Sequence, residues 1–188
     1  AGNVNIWHSL HDTIGERRII GGLTQEVLDR LSLRGAVLAY PTPSSSYQIN
    51  TEELKIELDS LVVEHGIIPY LHTFYSAPAL DRGELAGIIV ENKSGRAAIR
   101  ARLFIDATGD ADLARHLHLP SFDPGTLQPP TTCAKIRGLG SLGGFDWETC
   151  VGEHGAEVGL RPDWGWGGPI PGLPDIQLRA DTHVFDCD

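Results

Sequence analysis

Leu103-Phe104-Ile105-Asp106-Ala107-Thr108-Gly109-Asp110-Ala111-Asp112-Leu113-Ala114 is the stretch on which the fold turns. Three bulky apolar residues lead into a turn of small residues and then into good helix formers. An unbroken apolar run predicts a strand buried on both faces, as in a parallel sheet. Gly109 reaches backbone angles that a residue with a Cβ resists, so the chain can bend sharply there and a ligand can lie against the main chain. A helix over 111–118 would start at the bend, its free N–H groups aimed at whatever sits above the strand end. That is the geometry of a nucleotide or dinucleotide site in an open α/β sheet. Two other readings stay open. One is an ordinary strand–turn–helix whose turn needs a glycine. The other is a metal loop built on Asp106, Asp110 and Asp112, which lacks the bidentate Glu of a calcium loop.

Upstream, residues 80–105 predict a β-meander. Asp81-Arg82-Gly83-Glu84 and Asn92-Lys93-Ser94-Gly95 are its turns, and 85–91 and 97–105 its strands. Residues 67–75 predict a further strand, with Pro69 near its start, where a missing N–H does least harm. The clearest helix is 50–66. Asn50 is its N-cap, Glu53 completes a capping box, and Gly66 ends it. Leu54, Leu58, Leu61 and Val62 fall on one face. A second helix covers 23–34, with Thr24 as N-cap, Val27, Leu28 and Leu31 as its apolar stripe, and Gly35 as its stop. A short strand over 36–40 and a Pro/Ser loop over 41–46 join the two.

Near the start, His8 and His11 stand three apart and Asp12 follows at once. On a helix the two imidazoles would share a face and could share a metal. No third ligand stands out, so no metal site is assigned. A polar loop whose histidines simply hydrogen-bond, or a loop that carries function, fits the same residues.

After about residue 120 the composition shifts. Eight of twelve prolines, twelve of twenty-two glycines and three of four tryptophans lie in 119–188, which rules out long helices there. Residues 127–137 predict an edge strand after their prolines. Trp164-Gly165-Trp166-Gly167-Gly168-Pro169 reads as packing and turn chemistry, or as an aromatic platform for a sugar-like or planar ligand.

The chain has 188 residues, enough for one domain or a domain and part of another. Its formal charge of −10 argues against nucleic acid and anionic membrane surfaces as partners. No apolar run is long enough to span a bilayer. Cys133, Cys150 and Cys187 form no C-x-x-C pair, which fits structural thiols in a reducing, cytoplasmic setting. The sequence holds no methionine and opens on Ala1, which reads as a fragment or a subset of a longer chain.

Together these pieces resemble the FAD-dependent oxidoreductases of the glutathione-reductase-like superfamily, and within it the bacterial branch with an "ATGDxDLA" strand–turn. The resemblance rests on 104–114, on Ile49-Asn50-Thr51-Glu52-Glu53-Leu54-Lys55, on the strand and meander that follow, and on Leu127-Gln128-Pro129-Pro130-Thr131. It covers most of 1–137 and fades beyond. It implies FAD as cofactor, lined by Ala107, Thr108, Gly109 and Asp110 at the turn and by Thr73 and Phe74 beside the adenine. It implies that the opening segment lies near the flavin ring, with His8, His11 and Asp12 on the substrate side and a general base drawn from among them.

The expected architecture is α/β: a partial FAD-binding Rossmann-like sheet with a β-meander over 46–118, and a mixed, loop-rich substrate domain. Residues 1–45, the flavin-proximal segment, and 119–188 would build that second domain. The expected activity is hydride transfer between a small-molecule substrate and flavin. The family's G-x-G-x-x-G would lie before Ala1 and its flavin-capping segment beyond Asp188. The 188 residues alone are therefore expected to bind FAD weakly or not at all, and to be inactive; a stoichiometric flavin spectrum would contradict this. The alternative is a non-catalytic α/β module whose Trp/Gly-rich surface binds carbohydrate or a partner chain. Substrate, electron acceptor and oligomeric state are not encoded in any motif.

Overall fold

A computed structural model of the chain describes residues 6–39, 46–122, 125, 131–144, 146–159 and 166–182. In chain order its elements are β1 (Ile6–Trp7), α1 (Leu23–Leu33), β2 (Val37–Ala39), β3 (Tyr47–Ile49), α2 (Thr51–Glu64), β4 (Phe74–Asp81), β5 (Glu84–Asn92), β6 (Gly95–Ile99), α3 (Asp112–His116), β7 (Thr131–Arg137), α4 (Trp147–His154), β8 (Trp166–Ile170) and β9 (Leu173–Thr182). They form a mixed α/β architecture with three small sheets, and every strand pairing among the described residues is antiparallel. The chain divides into two compact units, Ala1–Ile67 with Gln128–Asp188, and Ile68–Leu127.

The first unit is built around α1 and α2. The apolar stripe of α1 does what its spacing predicts: Val27, Leu28 and Leu31 are buried, Leu31 completely. They pack with Leu10, Ala36, Ile49 and Leu54 into one core, flanked by Trp7, Val37, Tyr47 and Leu61. The helix begins at Leu23 with Gly22 as its N-cap, not under a Thr24 cap, and no side chain among the described residues caps it. Asn50 does cap α2. Its side-chain oxygen accepts from the Glu52 N–H at 3.1 Å, while its side-chain amide donates to the Pro171 carbonyl at 3.0 Å. Glu53 is not part of a capping box; it pairs with Arg34 at 3.1 Å. Leu54 is buried, but Leu58, Leu61 and Val62 line an open apolar groove with Leu23 and Val27.

Charged groups tie the two helices together. Arg30 of α1 binds Glu64 of α2 at 2.6 Å and Glu26 at 2.7 Å, and these bonds, that to Glu64 first, push the guanidinium pKa further up. Glu57, only 5% exposed, is paired with Arg34 and lies 3.8 Å from Arg30. A buried carboxylate needs such partners, because leaving it charged and alone costs several kcal/mol.

Two three-stranded sheets complete this unit, in the orders β1-β3-β2 and β7-β9-β8. The predicted edge strand is β7, over Thr131–Arg137. Residue 167 must be glycine where β8 runs beside β9, and at 168 a side chain would have to push the end of Gln48 aside. A Cβ at Gly167 would stand 2.3 Å from the Leu178 carbonyl oxygen, and one at Gly168 would stand 2.1 Å from the side-chain nitrogen of the buried Gln48. Lys135 of β7 reaches Thr51 at 2.8 Å and Glu52 at 2.5 Å, pinning the start of α2.

The second unit is the meander β4-β5-β6 with α3 packed on β4. Both hairpin turns fall where Asp81–Glu84 and Asn92–Gly95 predict them. Two expectations are corrected. The strand expected over 67–75 begins only at Phe74, and the strand expected over 97–105 ends at Ile99. Leu103 and Ile105 are therefore not in a buried parallel sheet; they are 87% and 94% exposed. An apolar run becomes a two-face-buried strand only when neighbours pair with both edges, and among the described residues nothing pairs with 103–105. The Pro/Ser loop predicted over 41–45, the stretches 127–130 and 164–165, and Cys187 lie outside the described residues.

Candidate functional site

The turn after residue 105 is held by one carboxylate. An Asp two residues before a Thr can fold back on the backbone as an Asx-type turn, and Asp106 does so. One of its oxygens accepts from the Thr108 N–H at 3.1 Å and from the Thr108 hydroxyl at 2.8 Å. The other accepts from the Ala114 N–H at 3.1 Å, inside the first turn of α3. The Thr108 hydroxyl oxygen in turn accepts from the Asp112 N–H at 3.0 Å. These bonds, that of the Thr108 hydroxyl first and then the backbone N–H groups of Ala114, Thr108 and Leu113, favour the charged form and hold the Asp106 carboxyl below its ordinary pKa.

This arrangement revises the expected role of the helix. α3 is short, Asp112–His116, and its leading N–H groups are already taken by Asp106 and Thr108. They do not point at a ligand. What the turn does present outward is the main chain at Gly109 and Asp110. Both residues are exposed, and their N–H groups have no acceptor among the described residues. Gly109 sits at φ +96°, a conformation that side chains disfavour, with no atom of the described residues within 4 Å of where a Cβ would be. Ala111 follows in the left-handed region at φ 56°.

Beside the turn, Tyr75 of β4 and His116 of α3 pair through the Tyr hydroxyl and the imidazole Nδ1 at 3.0 Å, with ring centroids 5.6 Å apart. Burial first, then the charges of Asp106 and Asp112, raise the Tyr75 pKa. Thr73 and Phe74 lie immediately before Tyr75. The Thr73 hydroxyl donates to the Leu71 carbonyl at 3.0 Å and accepts from Asn92 at 3.3 Å, while the Phe74 ring is 79% exposed. Thr73, Phe74 and 107–110 thus belong to one compact unit, in which β4 packs on α3. Tyr75 and His116 carry no sequence signal of a site, and Asp106, read from sequence only as a possible metal-loop ligand, is instead the clamp of the turn; the Asp-x-Thr spacing at 106–108 is the signal that points to it.

His8, His11 and Asp12 belong to the other unit. They do not form a helix. His8 is exposed just after β1, and His11 bridges Arg18 across a loop closed by the Asp12 N–H on the Arg17 carbonyl at 2.9 Å. The Asp12 carboxylate accepts from the Glu16 N–H at 3.0 Å. The His11 Nδ1 is buried and has no hydrogen-bond partner among the described residues. Among the described residues no group of three or more His, Cys, Asp or Glu is placed to hold a metal ion. No helix among them is long and apolar enough to cross a membrane.

No curated protein and no solved structure matches the chain. A family model described as FAD dependent oxidoreductase matches residues 2–158, spanning both the histidine loop and the Asp106 turn. The chain belongs to the FAD dependent oxidoreductase family, and FAD is the cofactor of that family.

Proposed function

We propose that the chain serves a glutathione-reductase-like flavoenzyme of the "ATGDxDLA" type, which moves hydride between a small-molecule substrate and flavin. The observation that carries this reading is the outward face of the 107–110 turn. Its free N–H groups and the open space over Gly109 suit a polar ligand lying against the backbone. FAD fits that donor set: it offers hydroxyl and phosphoryl oxygens to the two N–H groups, and hydroxyls to the exposed Asp110 carboxylate.

In this reading Ala107, Thr108, Gly109 and Asp110 hold the cofactor at the turn. Thr73 and Phe74 lie beside its adenine, where the exposed Phe74 ring offers a stacking face. Bound FAD supplies the redox chemistry, accepting two electrons and a proton as hydride. His8, His11 and Asp12 serve the substrate side. His11 suits a proton acceptor best, because its Nδ1 has no partner among the described residues, whereas Asp12 already accepts from Glu16. Residues 46–118 contribute the Rossmann-like cofactor part, and 1–45 with 119–188 the substrate part. The free thiols of Cys133 and Cys150 suit a reducing, cytoplasmic setting.

Flavin titration tests the reading. FAD fluorescence quenching is measured in the complete gene product, wild type and Gly109→Val. The substitution puts a branched side chain where the backbone is left-handed and the ligand would lie. Affinity falls at least tenfold if the turn meets FAD; equal affinity in the two proteins refutes the reading. Wild-type turnover by a protein carrying His8→Ala and His11→Ala would remove the histidines from the mechanism.

A further inference from the structure

Resting on the flavin reading, we propose that Asp106 is the positioning residue of the cofactor turn: its carboxylate holds 107–110 in the form that receives FAD, and by the same bonds closes the α3 N-terminus to phosphate. One side chain grips the turn at both ends. It binds Thr108, two residues on, through N–H and hydroxyl at 3.1 and 2.8 Å, and Ala114, eight residues on, at 3.1 Å. Thr108 relays the grip to Asp112 at 3.0 Å. Between the two anchor points lie Gly109 at φ +96° and Ala111 at φ 56°. A left-handed alanine is disfavoured and persists only where its surroundings over-determine it. The fixed points on either side do so.

The consequence for ligand binding is electrostatic as well as geometric. A free helix N-terminus attracts an anion. Here the anion is the protein's own carboxylate, so a phosphate approaching the start of α3 meets spent donors and a like charge. The donors left for a ligand are the N–H groups of Gly109 and Asp110, which Asp106 orients without touching the ligand itself.

Asp106→Asn tests this with little change in size, since its amide would face the Ala114 N–H donor to donor. Two readouts are needed. In the flavin-free chain, amide hydrogen exchange followed residue by residue is expected to quicken about tenfold at Asp112 and Ala114 while the β5 amides keep their wild-type rates. In the complete gene product, the FAD dissociation constant is expected to rise about tenfold, the size of effect that follows from losing a hydrogen bond to a charged group. The wild-type constant also rises as pH falls through the Asp106 titration, and the part of that rise owed to Asp106 is lost in Asp106→Asn. Asp110, Asp112, Tyr75 and His116, the other titratable groups around the turn, are present in both proteins. Unchanged exchange, an unchanged dissociation constant, equal loosening of β5, or an unaltered pH profile would each overturn the proposal. Gly109→Val and Asp110→Ala separate the two levels. If they abolish binding and Asp106→Asn does not, the positioning role alone fails; if they too leave affinity intact, the flavin reading fails.

Discussion

Replacing Asn50 by Ala removes two hydrogen bonds from a residue that is 5% exposed. The side-chain oxygen caps α2 through the Glu52 N–H at 3.1 Å, and the side-chain amide satisfies the Pro171 carbonyl at 3.0 Å. Loss of an N-cap costs about 1 kcal/mol. A carbonyl left without its partner in a half-buried site costs about 1 kcal/mol more. The sum of about 2 kcal/mol corresponds to a fall in Tm of about 4–8 °C for a chain of this size. Asn50→Ser separates the two contributions. Serine keeps a capping oxygen but is too short to reach Pro171, so it should show about half the loss. Thermal unfolding followed by far-UV circular dichroism measures all three proteins. A change under about 1 °C for Asn50→Ala, or a Ser variant as unstable as the Ala variant, refutes the bookkeeping.

Leu31→Ala empties a fully buried position at the centre of the α1–α2 core and should cost about 2–5 kcal/mol in a urea titration. Gly167→Ala drives a methyl group to within 2.3 Å of the Leu178 carbonyl oxygen; of order 1–3 kcal/mol of stability should be lost, whereas Gly140→Ala, in open space, should lose far less. Lys135 first and then Lys55 hold the Glu52 carboxyl at about 2, below its ordinary 4.5. A folded-state pKa depressed below the unfolded one gives stability that is present above about 4.5 and lost as pH falls towards 2. Acid unfolding of Glu52→Gln should therefore be less steep over that window than in wild type, and high salt should narrow the difference because the pair is exposed.

Local signals carried the parts of this fold that local physics decides. α2 was legible because Asn50 caps it and because its leucines recur with the helical period. The hairpins at Asp81–Glu84 and Asn92–Gly95 were legible because polar turn residues with glycine sit between apolar runs. Thr24 misled as a cap because the chain turns into α1 two residues earlier, at Gly22, where φ is 62° and no side-chain cap is made. Glu53 misled as a capping-box residue because Arg34, remote in sequence, is a better partner for it. Leu103–Ile105 misled for a deeper reason. Burial of a strand belongs to its neighbours, and an apolar run carries no record of whether neighbours pair with it. At the candidate site the bend at Gly109 was visible in its glycine, but the use of Asp106 as the clamp was not. That depends on three residues closing on one carboxylate, which the spacing of 106–112 does not announce.

The order of the chain sets a timetable for synthesis. Ile68–Leu127 is one uninterrupted segment, while the other unit is assembled from pieces on either side of it. The meander can therefore form on the ribosome as soon as it emerges. Gln48, Asn50 and Glu52 must wait, because Gly168, Pro171 and Lys135 have not yet been translated. During that interval the early half of the unit is a nascent structure with vacant partners, and a stalled or truncated product would expose it to chaperones and proteases first.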